Sequence, residues 1–136
     1  MENDSVKLLE IPSIPDGMTQ VEAFLESIQD LYRFKDDVCG NVIIAVTEAV
    51  NNSIHHGNKC DAGKMIRLEA ITPNPYRLLI RVTDEGDGFD ADTLPDPTSP
   101  ELIDKPGGRG VFLMRHLADS IEFKDQGRTV ELYFNI

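Results

Sequence analysis

Between Asp37 and His56 the chain repeats Val42, Val46, Val50 and Ile54 at helical spacing, so this stretch must bury one stripe of an α-helix. At about 100° per residue, Asn41, Glu48, Asn52 and His55 then fall on the opposite side. That polar side carries a carboxylate and a carboxamide one turn apart, a pair able to hold a metal ion and a hydroxyl or water beside it. Two further polar-plus-glycine blocks follow in order. Asp84-Glu85-Gly86-Asp87-Gly88-Phe89 ends a strand, and Gly107-Gly108-Arg109-Gly110 opens a helix. Taken together, the three blocks read as a nucleotide pocket.

The remaining elements follow from period and punctuation. Val6 to Ile11 alternates as a first strand and is broken by Pro12, Pro15 and Gly17. A first helix opens on the capping box Thr19-Gln20-Val21-Glu22, with Val21, Phe24, Leu25, Ile28 and Leu31 as its apolar face. Asp36 or Asp37 is expected to cap the second helix, and Gly57-Asn58 to end it. Lys64 to Ile71 and Tyr76 to Asp84 read as strands around a Thr-Pro-Asn-Pro turn, with Leu78, Ile80, Val82 and Asp84 on one face. The segment from Phe89 to Pro106 has four prolines and no periodicity, and is expected to be mobile. Gly110 to Ala118 is a short helix in which Phe112, Leu113 and Leu117 are expected to face the core. Ile121 to Phe123 and Thr129 to Phe134 form a hairpin around Asp125-Gln126-Gly127. This pattern predicts an α/β two-layer sandwich, with helices on one face of a mixed, mostly antiparallel sheet.

Length and charge narrow the function classes. A chain of 136 residues has room for one core. A formal charge of −11 repels polyanions, which argues against direct nucleic-acid or anionic-membrane binding and for protein or small-molecule partners. The acidic start Met1-Glu2-Asn3-Asp4 is unlike a signal peptide and no apolar run suits a bilayer, so a cytoplasmic location is expected. Cys39 and Cys60 lie in no metal spacing and read as reduced, structurally ordinary thiols. Adjacent His55 and His56 point in different directions and make a poor zinc pair with Cys60.

Glu-x-x-x-Asn on a helix, Asp-x-Gly-x-Gly after a strand and Gly-x-Gly before a helix resemble the N, G1 and G2 boxes of the gyrase, heat-shock chaperone, histidine kinase and mismatch-repair ATPase superfamily. Within it, Thr-Glu-Ala-Val-Asn-Asn-Ser-Ile-His-His-Gly-Asn (Thr47 to Asn58) and Gly-Gly-Arg-Gly-Val-Phe-Leu-Met-Arg (Gly107 to Arg115) are most similar to the anti-sigma-factor serine kinases of bacterial stress and sporulation switches. The resemblance covers nearly the whole chain. It implies a single histidine kinase-like ATPase domain over residues 1–136 with a Bergerat-type ATP-binding fold and an ATP lid at about 90–106.

It also implies ATP and Mg²⁺ as cofactors and gives each block a role. Asn52, favoured over Asn51 by its register from Glu48, is the Mg²⁺ ligand, and Glu48 is the catalytic base over the γ-phosphate. Asp84 accepts from the adenine amino group, and Gly86, Gly88 and Phe89 let backbone and ring approach the base. Gly107, Gly108, Arg109, Gly110 and Val111 receive the phosphates at a helix start. His56 supports the helix end or packs near the phosphates, while Arg115 and Lys105 are further candidates for phosphate contact. Alone, the first block would read as an exposed helix face and the second as a turn. Neither a P-loop Gly-Lys-Ser nor the dinucleotide-binding glycine pattern is present. The expected function is an ATP-binding anti-sigma factor with serine/threonine kinase activity, its partners a STAS-domain antagonist and a sigma factor, with a homodimer left open. Two alternatives stand beside it: a nucleotide-dependent binding regulator with little or no transfer activity, and a detached histidine-kinase-like ATPase domain. The third is disfavoured because no phosphoacceptor-histidine helix pair precedes the blocks.

Overall fold

Strand β1 (Lys7–Pro12) leads through a 3-10 turn at Pro15–Gly17 into helix α1 (Met18–Tyr32) and helix α2 (Asp36–Asn52), which runs on into a π turn at Ser53–Gly57. Strands β2 (Met65–Asn74) and β3 (Arg77–Thr83) follow, then helix α3 (Gly108–Leu117), strand β4 (Ser120–Lys124), a 3-10 turn at Asp125–Gly127 and strand β5 (Thr129–Asn135). The structure is a computed structural model that describes residues 6–86 and 108–136, with backbone alone at 108–110. Its five strands form one sheet in the order β1-β2-β3-β5-β4, and every pairing is antiparallel. The α/β sandwich expected from the sequence is therefore present, its sheet antiparallel throughout the described residues.

The period of two along each strand decides which side is buried. Ile66, Leu68 and Ala70 of β2, Leu78, Ile80 and Val82 of β3, and Val130, Leu132 and Phe134 of β5 line the inner face. Against them lie Val21, Leu25 and Ile28 of α1 and the stripe Val42, Val46, Val50 and Ile54, each of the four fully buried. Burying a branched aliphatic side chain of this size contributes roughly 1.5–3 kcal/mol, so this shared core is what holds α2 on the sheet. The outer face is polar. Arg81 pairs with Glu131 at 2.8 Å and Glu69 at 3.5 Å, Lys124 pairs with Glu131 at 2.8 Å, and the Arg77 guanidinium covers the Tyr133 ring at 4.3 Å. No helix of the described residues is long and apolar enough to cross a membrane.

Several local expectations are corrected. Helix α1 begins at Met18 directly from the 3-10 turn, so the Thr19 box does not form; Thr19 Oγ1 instead reaches back to the Asp16 carbonyl at 3.4 Å. Leu31, the last residue of the expected apolar face, is 51% exposed, and Val21, Leu25 and Ile28 make the buried contact. Lys35 is the N-cap of α2, and Asp36 and Asp37 sit in the first turn, where their charge favours the positive end of the helix dipole. The β2–β3 hairpin runs past Ile71 to a two-residue turn at Pro75–Tyr76, with a register shift between Ile71 and Asn74. Asn74 Oδ1 accepts the Tyr76 amide at 2.9 Å and closes it. In α3 the core residue is Met114, followed by Ala118 just past the helix, with Val111 and Leu117 packed beside them, whereas Phe112 and Leu113 are half-buried. Phe112 stacks on His116 at 5.7 Å instead.

Candidate functional site

Where α2 runs into its π turn, helical packing gives way to a tight approach between two loops. The wider turn brings Gly57 against the end of β3, a use of π geometry that recurs at functional sites. A Cβ on Gly57 would stand 2.6 Å from Asp84 Cγ, and one on Gly86 would stand 2.5 Å from the Gly57 carbonyl carbon. Only glycine fits at both positions. Asp84 ends the inner row Leu78, Ile80, Val82, is 8% exposed, and accepts the Gly86 amide on Oδ1 at 2.8 Å. An acceptor of fixed orientation is thereby held at the end of the helical layer.

Burial pushes the Asp84 carboxyl above its ordinary value. The Gly86 amide, a hydrogen bond from the Ser53 side chain and the charge of Arg128 pull it part of the way back, and Asp125 pushes it up again. A carboxylate kept in so dry a place contributes acceptor chemistry rather than stability, the usual mark of a binding or reacting group.

Glu48 and Asn52 lie one turn apart on α2, both half-buried, on the side away from the Val42, Val46, Val50, Ile54 stripe. Asn41 and His55 on the same side are exposed. His56 is exposed within the π turn, and His55 Nδ1 lies 3.2 Å from Cys60 Sγ. Helix α3 packs along α2, which brings the backbone of Gly108, Arg109 and Gly110 to the α2 side of the molecule. Val111 is half-buried and turned to the core, leaving its amide rather than its side chain for a ligand. Arg115 is exposed and its guanidinium lies 5.9 Å from the Phe123 ring. Gly88, Phe89, Gly107, Lys105 and the expected lid at 90–106 lie outside the described residues.

Three residues at this site were not legible as site residues. Asn58, expected to end the helix, is 2% exposed. Its Nδ2 donates to Ser13 Oγ at 2.6 Å and to the Met65 carbonyl at 3.1 Å, while its Oδ1 accepts the Glu85 amide at 2.8 Å. Ser13, fully buried, passes the chain of bonds on to the Lys64 carbonyl at 2.6 Å. Arg128 donates from Nε to the Gly86 carbonyl at 2.7 Å. The sequence marks Asn58 only as the last residue of the Thr47–Asn58 block, just after Gly57; it carries no signal for Ser13 or Arg128.

The fold and site define a class: a two-layer domain in which an aspartate turn and a helix end meet, as an ATP-binding domain requires. Residues 11–134 match the family described as histidine kinase-like ATPase domain, and the chain belongs to that family. ATP is accordingly its nucleotide. Similar proteins include serine-protein kinase RsbW of Listeria monocytogenes serotype 4a (strain HCC23), 28% identical over 129 residues covering 90% of this chain and 82% of the relative. Serine-protein kinase RsbW of Bacillus cereus (strain AH820) is 29% identical over 129 residues, with 90% and 79% covered. Among solved structures, the RsbU and RsbW domains of Rv1364c from Mycobacterium tuberculosis superpose with a TM-score of 0.67 at 13% identity, over 96% of this chain and 32% of that longer one. At that identity the likeness is one of fold.

Proposed function

We propose that the chain is an ATP-binding anti-sigma factor with serine/threonine protein kinase activity, which sequesters a sigma factor and phosphorylates a STAS-domain antagonist that competes for it. The contact of Gly57 with Asp84 and Gly86 carries this reading, because it joins the end of the Glu48–Asn52 helix to the base end of a pocket. The relatives' name, serine-protein kinase, supports the reaction class.

Asp84 accepts the adenine amino group, with Gly86, Gly88 and Phe89 against the base. Gly107, Gly108, Arg109, Gly110 and Val111 receive the phosphates at the start of α3, and His56 supports the end of its own helix or packs near the phosphates. Asn52 offers a neutral hard oxygen suited to Mg²⁺ and shares a helix side with Glu48, so the donors present fit that ion. When bound, Mg²⁺ neutralises charge on the phosphates. Glu48 takes the proton of the attacking seryl hydroxyl as its oxygen bonds to the γ-phosphorus. The bond from that phosphorus to the bridging oxygen breaks, and ADP leaves.

A second reading, a nucleotide-dependent regulator with negligible transfer, is favoured by one feature. Asp84, Gly57 and Gly86 build the base end without Glu48, so binding and transfer rest on different residues. A pull-down from native extract with Mg·ATP, followed by phosphosite mapping of the retained small partner, separates the two. A phosphoserine that disappears with Glu48→Gln supports the kinase; retention without phosphorylation leaves the regulator.

A further inference from the structure

Arg128 follows the 3-10 turn Asp125–Gly127 and stands across from Asp84, one step beyond the paired Thr83 and Thr129. It touches both ends of the Asp84-Glu85-Gly86 turn. Its backbone carbonyl accepts the Asp84 amide at 2.9 Å, and its Nε donates to the Gly86 carbonyl at 2.7 Å. Its Nη1 lies 3.4 Å from the Asp125 carbonyl and 3.5 Å from the Asp125 carboxylate, so the guanidinium plane is held from behind as well. On the far side of the same turn, Asn58 Oδ1 accepts the Glu85 amide at 2.8 Å. The turn that carries Asp84 is therefore clamped between two side chains from segments distant in sequence.

We propose that Arg128 is a specificity-determining positioning residue, which fixes the Asp84 turn so that the carboxylate meets an exocyclic amino group of adenine and rejects the carbonyl of guanine. The inference rests on the reading of Asp84 as the base acceptor and deepens it. An acceptor discriminates only while it is held in place, since a turn free to swing can withdraw from a guanine carbonyl and readmit it. A guanidinium suits this task because its planar fork bonds the Gly86 carbonyl with Nε while Nη1 is occupied by Asp125; an ammonium has no such fixed plane. The positive charge beside Asp84 also opposes the upward push of burial on that carboxyl, which keeps the accepting form available.

The test compares Mg·ATP and Mg·GTP binding by calorimetry for wild type, Arg128→Met, Arg128→Lys and Asp84→Asn, each checked for a cooperative melt. Arg128→Met is expected to bind Mg·ATP roughly tenfold more weakly with Mg·GTP little changed, a shift on the scale of one hydrogen bond to a charged group. Arg128→Lys is expected to recover part of the preference, and it decides the matter if Arg128→Met does not fold. In transfer assays the change should appear in KM for ATP with kcat kept. Equal weakening of both nucleotides would overturn the proposal, as it would mean a general loss of structure or of phosphate attraction. Unchanged discrimination in Arg128→Met and Arg128→Lys, with Asp84→Asn impaired, would overturn it while leaving Asp84 as the base acceptor. Unchanged discrimination in Asp84→Asn would instead remove the base reading and the proposal together.

Discussion

Asp84 shows how one residue can be good for a site and bad for the fold. Its carboxyl is raised by burial above the ordinary value of 3.8, so its stabilising influence is fully present below that pH and is lost as pH rises through the raised value. Ionising that carboxyl in so dry a place costs the folded state stability. Asp84→Asn keeps an oxygen for the Gly86 amide and removes the charge. It is expected to raise the melting temperature near pH 7, with the gain shrinking as pH falls toward 3.8, a comparison that thermal melts over that range will make. The same substitution is expected to weaken Mg·ATP by about tenfold to a hundredfold and abolish the preference over Mg·GTP. Gly86→Ala has a simpler outcome: its Cβ meets the Gly57 backbone, so nucleotide affinity and stability should fall together, by roughly 1–3 kcal/mol in stability measured by denaturant. At this scale the sequence was partly legible. Asp84 and Gly86 stand in a pattern six residues long, whereas Arg128 meets Gly86 across 42 residues and Asn58 meets Ser13 across 45, contacts that no local spacing encodes.

Helix α2 was the most legible element because its signal is repeated. Four branched residues at one spacing leave a single orientation, and all four are fully buried. Its ends were less legible. Capping by Asp36 or Asp37 looked as good as the observed Lys35, since a run of acids near a helix start is consistent with several frames. No local signal marks the π turn, because its extra residue is accommodated by the tertiary approach of Gly57 to Asp84 and Gly86, just past β3. Two truncations separate core from surface on these helices. Ile54→Ala, at the π turn and fully buried, is expected to cost about 2–5 kcal/mol, while Leu31→Ala, at 51% exposure, should stay within about 0.5 kcal/mol. Urea melts of the two variants check this. A large effect at Leu31 would mean that the end of α1 is covered by something other than this chain's own core.

For the molecule as a whole, the two faces of the sheet have different work. The inner face holds α2, the helix that carries Glu48 and Asn52, and its alternation makes the α/β sandwich legible in the sequence. The outer face was not legible, because alternating Arg, Glu, Lys and Tyr say only that a side is polar and not which charges meet. There Glu131 is 2% exposed; burial pushes its carboxyl up, but hydrogen bonds and charges from Lys124 and Arg81 outweigh that and hold it below the ordinary 4.5. The stability it lends is present above that pH and is lost as pH falls through the lowered value. Glu131→Gln should therefore cost roughly 1–3 kcal/mol near neutral pH, with the difference from wild type closing once acid melts are taken below 4.5. On the opposite face, the proposed function divides binding and transfer between two residues one turn apart on α2, Asn52 and Glu48. Its most direct test is a labelled-phosphate transfer assay run beside Mg·ATP calorimetry on Glu48→Gln and Asn52→Ala, with the STAS-domain antagonist as acceptor. Glu48→Gln is expected to bind Mg·ATP as wild type does and transfer no phosphate, and Asn52→Ala to lose Mg·ATP binding itself; transfer at the wild-type rate by Glu48→Gln would contradict the account.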